Sequence, residues 1–198
     1  SLVFSEDGKQ LAAGGKEGPE CARIWEIEDG SYSQYFYEQD SNQNTKILMT
    51  KKYGKKRQTY TKILITASEN QVPLVFDLDS CDLLFKCKEG SDLEHIDEIE
   101  SNPEANVFLV QGHTATQDKA YLYSLTDGTV IMRFENSKNI ALAKGAPLVT
   151  GKCRNINEHR LFTVDFSTEE KRQRPVDCKL KACVSCFLQG NDAIASSF

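Results

Sequence analysis

The feature that most constrains this chain is that its end repeats its beginning. The stretch Phe4-Ser5-Glu6-Asp7-Gly8-Lys9-Gln10-Leu11-Ala12-Ala13-Gly14 returns, in pattern, as Phe187-Leu188-Gln189-Gly190-Asn191-Asp192-Ala193-Ile194-Ala195-Ser196-Ser197, 183 residues later. Both read as a short apolar strand, a polar turn and a second apolar strand ending in small residues. Between them a second signal recurs, an apolar run entering a polar turn. It appears as Ile24-Trp25-Glu26-Ile27-Glu28-Asp29-Gly30, as Val75-Phe76-Asp77-Leu78-Asp79-Ser80 and as Leu122-Tyr123-Ser124-Leu125-Thr126-Asp127-Gly128. A weaker form is Thr163-Val164-Asp165-Phe166-Ser167. The anchors Trp25, Phe76, Tyr123 and Val164 lie 51, 47 and 41 residues apart. Four units of about 46 residues therefore fill the chain. A repeat of this length is one supersecondary unit that cannot bury its apolar face alone, so neighbouring units must stack.

Within each unit, alternation and β-branched or aromatic enrichment predict four strands, and no stretch holds a strong 3.6-residue period. The first unit, about 1–43, places them near 1–4, 10–14, 21–27 and 32–37. The second, 44–91, has 45–50, 61–67, 72–78 and 83–87. The third, 92–137, has 94–100, 106–111, 119–125 and 129–134. The fourth, 138–181, has 139–143, 147–152, 160–166 and 175–180, and residues 182–198 begin a fifth with strands at 183–187 and 193–197. Glu6-Asp7-Gly8, Glu28-Asp29-Gly30, Asn102-Pro103-Glu104 and Thr126-Asp127-Gly128 supply turn chemistry between strands.

The motif of the first unit resembles the WD40-repeat β-propeller family. Its carriers are the turn around Glu6-Asp7-Gly8, then Leu11-Ala12-Ala13-Gly14-Gly15, then Arg23-Ile24-Trp25-Glu26-Ile27 followed by Asp29-Gly30. The third unit keeps the pattern, while the second and fourth diverge from it. The resemblance implies an all-β, propeller-like fold of about four blades, each of four antiparallel strands, with the start of a fifth. The family's Gly-His pair normally precedes a repeat's innermost strand. Gly112-His113 instead falls between the second and third strands, so His113 is not given the family's buried role, and His95, nearer the expected place, lacks a preceding Gly. A blade has two faces to bury and two bare edges, and radial packing solves both problems. A sandwich fits four matched units less well, and the helical crossovers of an α/β enzyme are not evident. The length then suits an arc of a larger ring, and a start at Ser1 rather than Met fits a cut or processed chain.

Chemistry-bearing motifs are sparse. Seven cysteines form an odd set, which favours free thiols in a reducing compartment. In Cys183-Val184-Ser185-Cys186 the two thiols point to opposite faces of a strand, a poor chelate. Three histidines without metal-ligand spacing argue against a metal, and no nucleophile elbow or Walker motif suggests catalysis or a cofactor. Gly14-Gly15-Lys16-Glu17-Gly18 leads into another strand and so reads as a loop rather than a phosphate cradle. Trp25, Phe76 and Tyr123 are expected to pack between blades rather than stack on a ligand. The chain is therefore read as a non-enzyme.

Loop charge is the more informative signal. With 29 acidic against 24 basic residues, the net charge of −5 disfavours general affinity for nucleic acid or anionic membrane. No apolar run reaches the roughly 20 residues needed to span a bilayer. Yet Lys51, Lys52, Lys55, Lys56 and Arg57, with Tyr53 and Tyr60 interleaved, fall in the first link of the second unit. Lys171, Arg172 and Arg174 fall in the last link of the fourth, which a propeller register puts on the same face. Glu17, Glu20, Glu38, Asp40, Glu89, Asp92 and Glu94 collect on the other. The expectation is a protein–protein interaction scaffold, a segment of a larger cytoplasmic (or nuclear) multidomain protein, similar to the propellers appended to signal-transduction NTPases. Its partners would be other proteins and the remaining blades. The alternative is a nucleic-acid- or phosphoinositide-binding propeller using the basic loops.

Overall fold

The computed structural model describes residues 1–15, 20–37, 45–54, 59–144, 146–155, 158–165, 173–176, 184–187 and 194–197. Of residues 20, 21, 32–35, 37, 138 and 152 onward only the backbone course is described. Every regular element among them is a β-strand. The first sheet holds β1 (Leu2–Phe4), β2 (Gln10–Gly14), β3 (Glu20–Glu26) and β4 (Tyr32–Tyr37), and the second β5 (Thr45–Tyr53), β6 (Tyr60–Ser68), β7 (Leu74–Asp77) and β8 (Leu83–Lys86). The third holds β9 (His95–Asn102), β10 (Val107–His113), β11 (Asp118–Ser124) and β12 (Val130–Glu135). The fourth holds β13 (Ser137–Leu142), β14 (Leu148–Asn155), β15 (Glu158–Asp165) and β16 (Gln173–Val176). A two-stranded ladder, β17 (Val184–Phe187) and β18 (Ile194–Ser197), follows. Each four-stranded sheet is an antiparallel meander in chain order.

Period-two alternation decides which neighbour each side chain meets. On β6, Ile63 and Ile65 join the core shared with the third sheet, whereas Leu64 joins the core shared with the first. On β10, Phe108 and Val110 turn to the second sheet while Val107 and Leu109 turn to the fourth. A stretch covered on both faces favours apolar residues at successive positions, as in Ile63–Ile65 of β6 and Val107–Val110 of β10. Three cores thus join four sheets in series. Phe36 meets Phe76 edge-to-face at 5.4 Å across the first joint, and Phe108 stacks on Tyr123 at 4.9 Å in the second.

The first strands of successive sheets lie beside one another: β1 by β5, β5 by β9, β9 by β13 and β13 by β17. They are not paired as a ladder, so side chains satisfy their facing polar groups. The Ile47 amide donates to the Ser1 hydroxyl at 3.1 Å, and the Ser101 hydroxyl to that of Thr50 at 2.8 Å. At the third joint the Leu142 amide donates to the Glu100 carboxylate at 3.0 Å. Gln111 clamps Ile140, accepting from its amide at 3.0 Å and donating to its carbonyl at 3.1 Å. The Asn102 amide group donates to the carbonyls of Ala143 and Ala146.

The repeat is also written in the turns between third and fourth strands. The Gly30, Cys81 and Gly128 amides each donate to the carbonyl four residues back, on Glu26, Asp77 and Ser124, at 3.0 Å. All three residues adopt positive φ, of 68°, 63° and 70°. In the first and third turns an aspartate tightens the corner: Asp29 accepts from the Ser31 amide and hydroxyl, and Asp127 from those of Thr129. These turns are 51 and 47 residues apart, the spacing of the aromatic anchors.

Candidate interaction surface

In each meander the first–second and third–fourth links emerge at one end, and in the first three a direct bond ties the third–fourth link to the first–second hairpin. The Ile27 amide donates to the Lys9 carbonyl at 2.8 Å, that of Leu78 to the Lys62 carbonyl at 2.9 Å and that of Leu125 to the Asn106 carbonyl at 2.9 Å. Bonds between sheets then bring these ends side by side. Lys51 pairs with Glu6 of the β1–β2 turn at 2.6 Å. The Lys52 ammonium donates to the Thr126 carbonyl of the β11–β12 turn at 3.1 Å and lies 5.1 Å from the centre of the Phe85 ring. Hairpin turns from three sheets therefore form one continuous surface.

Lys51 and Lys52 require a correction. They are residues of β5 rather than of a loop, because the ladder runs on through Lys51–Lys62 and Lys52–Thr61 to Tyr53–Tyr60. Threonine and tyrosine at these positions favour continued pairing, and the two tyrosine rings close the ladder edge-to-face at 6.3 Å. Neither lysine is a bare charge. Glu6 raises the pKa of Lys51 by its hydrogen bond, and burial lowers that of Lys52. Lys55, Lys56, Arg57, Lys171 and Arg172 lie outside the described residues, and Arg174 is placed on β16 by backbone alone.

Two clefts open on this end. One, of about 290 Å³, lies between the β1–β2 turn and the β5–β6 hairpin, with Met49, Tyr60, Leu78, Lys51 and Lys62 among its walls. The other, of about 310 Å³, lies between the tip of that hairpin and the β9–β10 link, where Lys52, Tyr53, Ala105 and Asn106 meet Thr126. Sequence reasoning singled out Lys51, Lys52, Tyr53 and Tyr60 but not Glu6, Met49, Lys62 or Leu78 as members of a site. The alternation of β5 and β6 held a signal for Tyr60 and Lys62. Nothing in the sequence signalled that the first sheet's turn would close the cleft.

At the opposite end, two of the carboxylates expected there are paired with cations. Glu89 holds Arg133 with both carboxylate oxygens, one bond at 2.7 Å. Asp92 accepts from Lys119 and from the Tyr121 hydroxyl, each at 2.7 Å. Of the expected acidic residues that are described in full, Glu89 and Asp92 are thus offset by cations of the third sheet, while Glu94 is exposed. Glu17, Glu38 and Asp40 lie outside the described residues, and Glu20 is placed by backbone alone. Beside them His95 meets Glu69 at 3.1 Å, and its ring centre lies 5.0 Å from that of His113. Gly112 is constrained here, since a Cβ would strike the His95 carbonyl.

Of the anchors, Phe76 and Tyr123 are buried and Trp25 partly so. The Tyr123 hydroxyl donates to the Glu89 carbonyl at 2.9 Å. Cys87 is buried and free, its thiol pushed up to about 12 by burial, and Cys81 is free and partly exposed. Cys183 is outside the described residues, and Cys186 is placed on β17 by backbone alone. Among the described residues no group of three or more His, Cys, Asp or Glu is arranged to hold a metal ion, and no helix is long and apolar enough to cross a membrane. No family model matches the chain, and no curated protein does.

Proposed function

We propose that this chain is an arc of a WD40-like β-propeller that serves as a protein–protein interaction scaffold, with the hairpin end as its working surface. The supporting observation is the gathering of turns from three successive sheets into one cleft-bearing surface through Lys51–Glu6 and Lys52–Thr126. Such a surface suits a partner that spans several repeats, with charge setting orientation and on-rate. The serial stack agrees with a propeller arc. So does the far face of the first sheet, where Leu2 and Phe4 are 73% and 63% exposed, as a surface awaiting another blade. The free thiols Cys81 and Cys87 agree with a reducing, cytosolic setting. In the nucleic-acid reading the same lysines would meet phosphates, and Lys51 and Lys52 already have partners within the fold.

The test is affinity capture with the chain and with a variant carrying Ser at 51, 52 and 55–57, at low and physiological salt, with and without ribonuclease. The expected result is a protein partner lost from the variant and indifferent to ribonuclease. A steeply salt-dependent RNA signal would favour the alternative, and capture unchanged by the variant would remove the basic residues from the function.

A further inference from the structure

We infer that the cleft between the β1–β2 turn and the β5–β6 hairpin takes the acidic side chain of a peptide, and that Glu6 occupies it in the free chain as a built-in competitor. This deepens the scaffold reading and rests on it.

The apolar part of the cleft is Met49, Leu78 and the Tyr60 ring, which is 53% exposed. At its rim the Lys51 ammonium sits 5.0 Å from the centre of the Tyr60 ring and 2.6 Å from a Glu6 carboxylate oxygen. Glu6 rides on an exposed turn with its side chain 77% exposed, whereas the Lys51 side chain is 32% exposed. The lysine is thus held by the fold and the carboxylate is the loose member. An ion pair this exposed is weak, so an incoming carboxylate can replace Glu6 at small cost. Lys62 faces the same cleft and supplies a second ammonium. The remaining acid, Asp7, is committed to its own turn, where it accepts from the Ser5 hydroxyl at 2.7 Å and the Lys9 amide at 3.1 Å. These bonds hold its carboxyl below the usual range.

Two observations favour a peptide carboxylate over a nucleic acid. The group on Lys51 is itself a carboxylate. A base would need an aromatic face on which to stack, and the Tyr60 face carries the Lys51 ammonium while its edge meets Tyr53. Apolar residues next to the acid would lie on Met49, with the buried Leu78 behind it.

The probe is a short fluorescent peptide of alternating Glu and Leu, with a Gln–Leu peptide and oligouridylate as controls, followed by anisotropy and by amide NMR. The acidic peptide is expected to bind in preference to both controls, with shifts at Met49, Thr50, Lys62 and Leu78. Glu6→Gln should tighten binding about two- to fivefold, because it removes the competitor. Lys62→Gln should weaken it by about the same factor, and rising salt should weaken it throughout. Because Glu6 is at an exposed tip, its substitution leaves the fold intact, which the NMR spectrum checks directly. Unchanged or weaker binding to Glu6→Gln overturns the competitor. Shifts confined to Lys52, Tyr53, Ala105 and Asn106 overturn the cleft while leaving the scaffold reading standing. Preference for oligouridylate, or no binding of the acidic peptide, overturns the proposal, and the capture experiment then judges the scaffold by itself.

Discussion

Glu100 shows how far a single residue can depart from its sequence appearance. In His95-Ile96-Asp97-Glu98-Ile99-Glu100 it reads as one more solvated acid of an alternating strand. The fourth sheet covers it, and burial, with Glu98 adding repulsion, pushes its carboxyl up to about 7 despite the bond from the Leu142 amide. The folded chain therefore holds this proton more tightly than the unfolded one. The stabilisation is complete below about pH 4.5, the ordinary value for a glutamate, and is lost as pH rises through about 7. Measured by denaturant unfolding, Glu100→Gln should flatten the pH dependence of stability across that window by up to ~3 kcal/mol relative to the native chain. Identical slopes for the two chains would refute this. Such a residue was invisible in sequence because its environment is made by β13, whose approach depends on the joint between sheets.

At the scale of elements, strands were legible because alternation and turn chemistry are local. The apolar runs of β6 and β10, the Asp-Gly corners at Gly30 and Gly128, and the 51- and 47-residue spacings all appear in the folded chain. Less legible were features set by pairing. The end of β5 follows from its cross-strand partners, and so Lys51 and Lys52 were read as loop residues. The second turn of the repeat has Cys81 where the others have glycine, at a φ of 63° that a Cβ disfavours. Cys81→Gly should therefore stabilise the chain by up to about 1 kcal/mol, as strain relief offsets the added chain entropy and the loss of a partly buried thiol. Thermal unfolding of the variant checks this, and a lower midpoint would mean that the thiol's packing outweighs the strain.

For the whole molecule, the period of about 46 residues carried most of the inference. It dictated units too small to bury their own faces, and the structure answers with three cores between four sheets in series. It did not dictate which side chains would bridge the ends of neighbouring sheets, because Glu6 and Lys51 are 45 residues apart and Lys52 and Thr126 are 74 apart. These contacts depend on how each sheet is rotated against the next, which no local pattern encodes. The resulting surface is the basis of the scaffold reading. Its most direct test is amide hydrogen exchange across the chain, free and with the partner recovered by capture. Protection is expected at residues 5–10, 50–54, 60–62 and 125–129, the turns of the hairpin end. Protection confined to residues 88–95 and 113–118, at the opposite end, would contradict it.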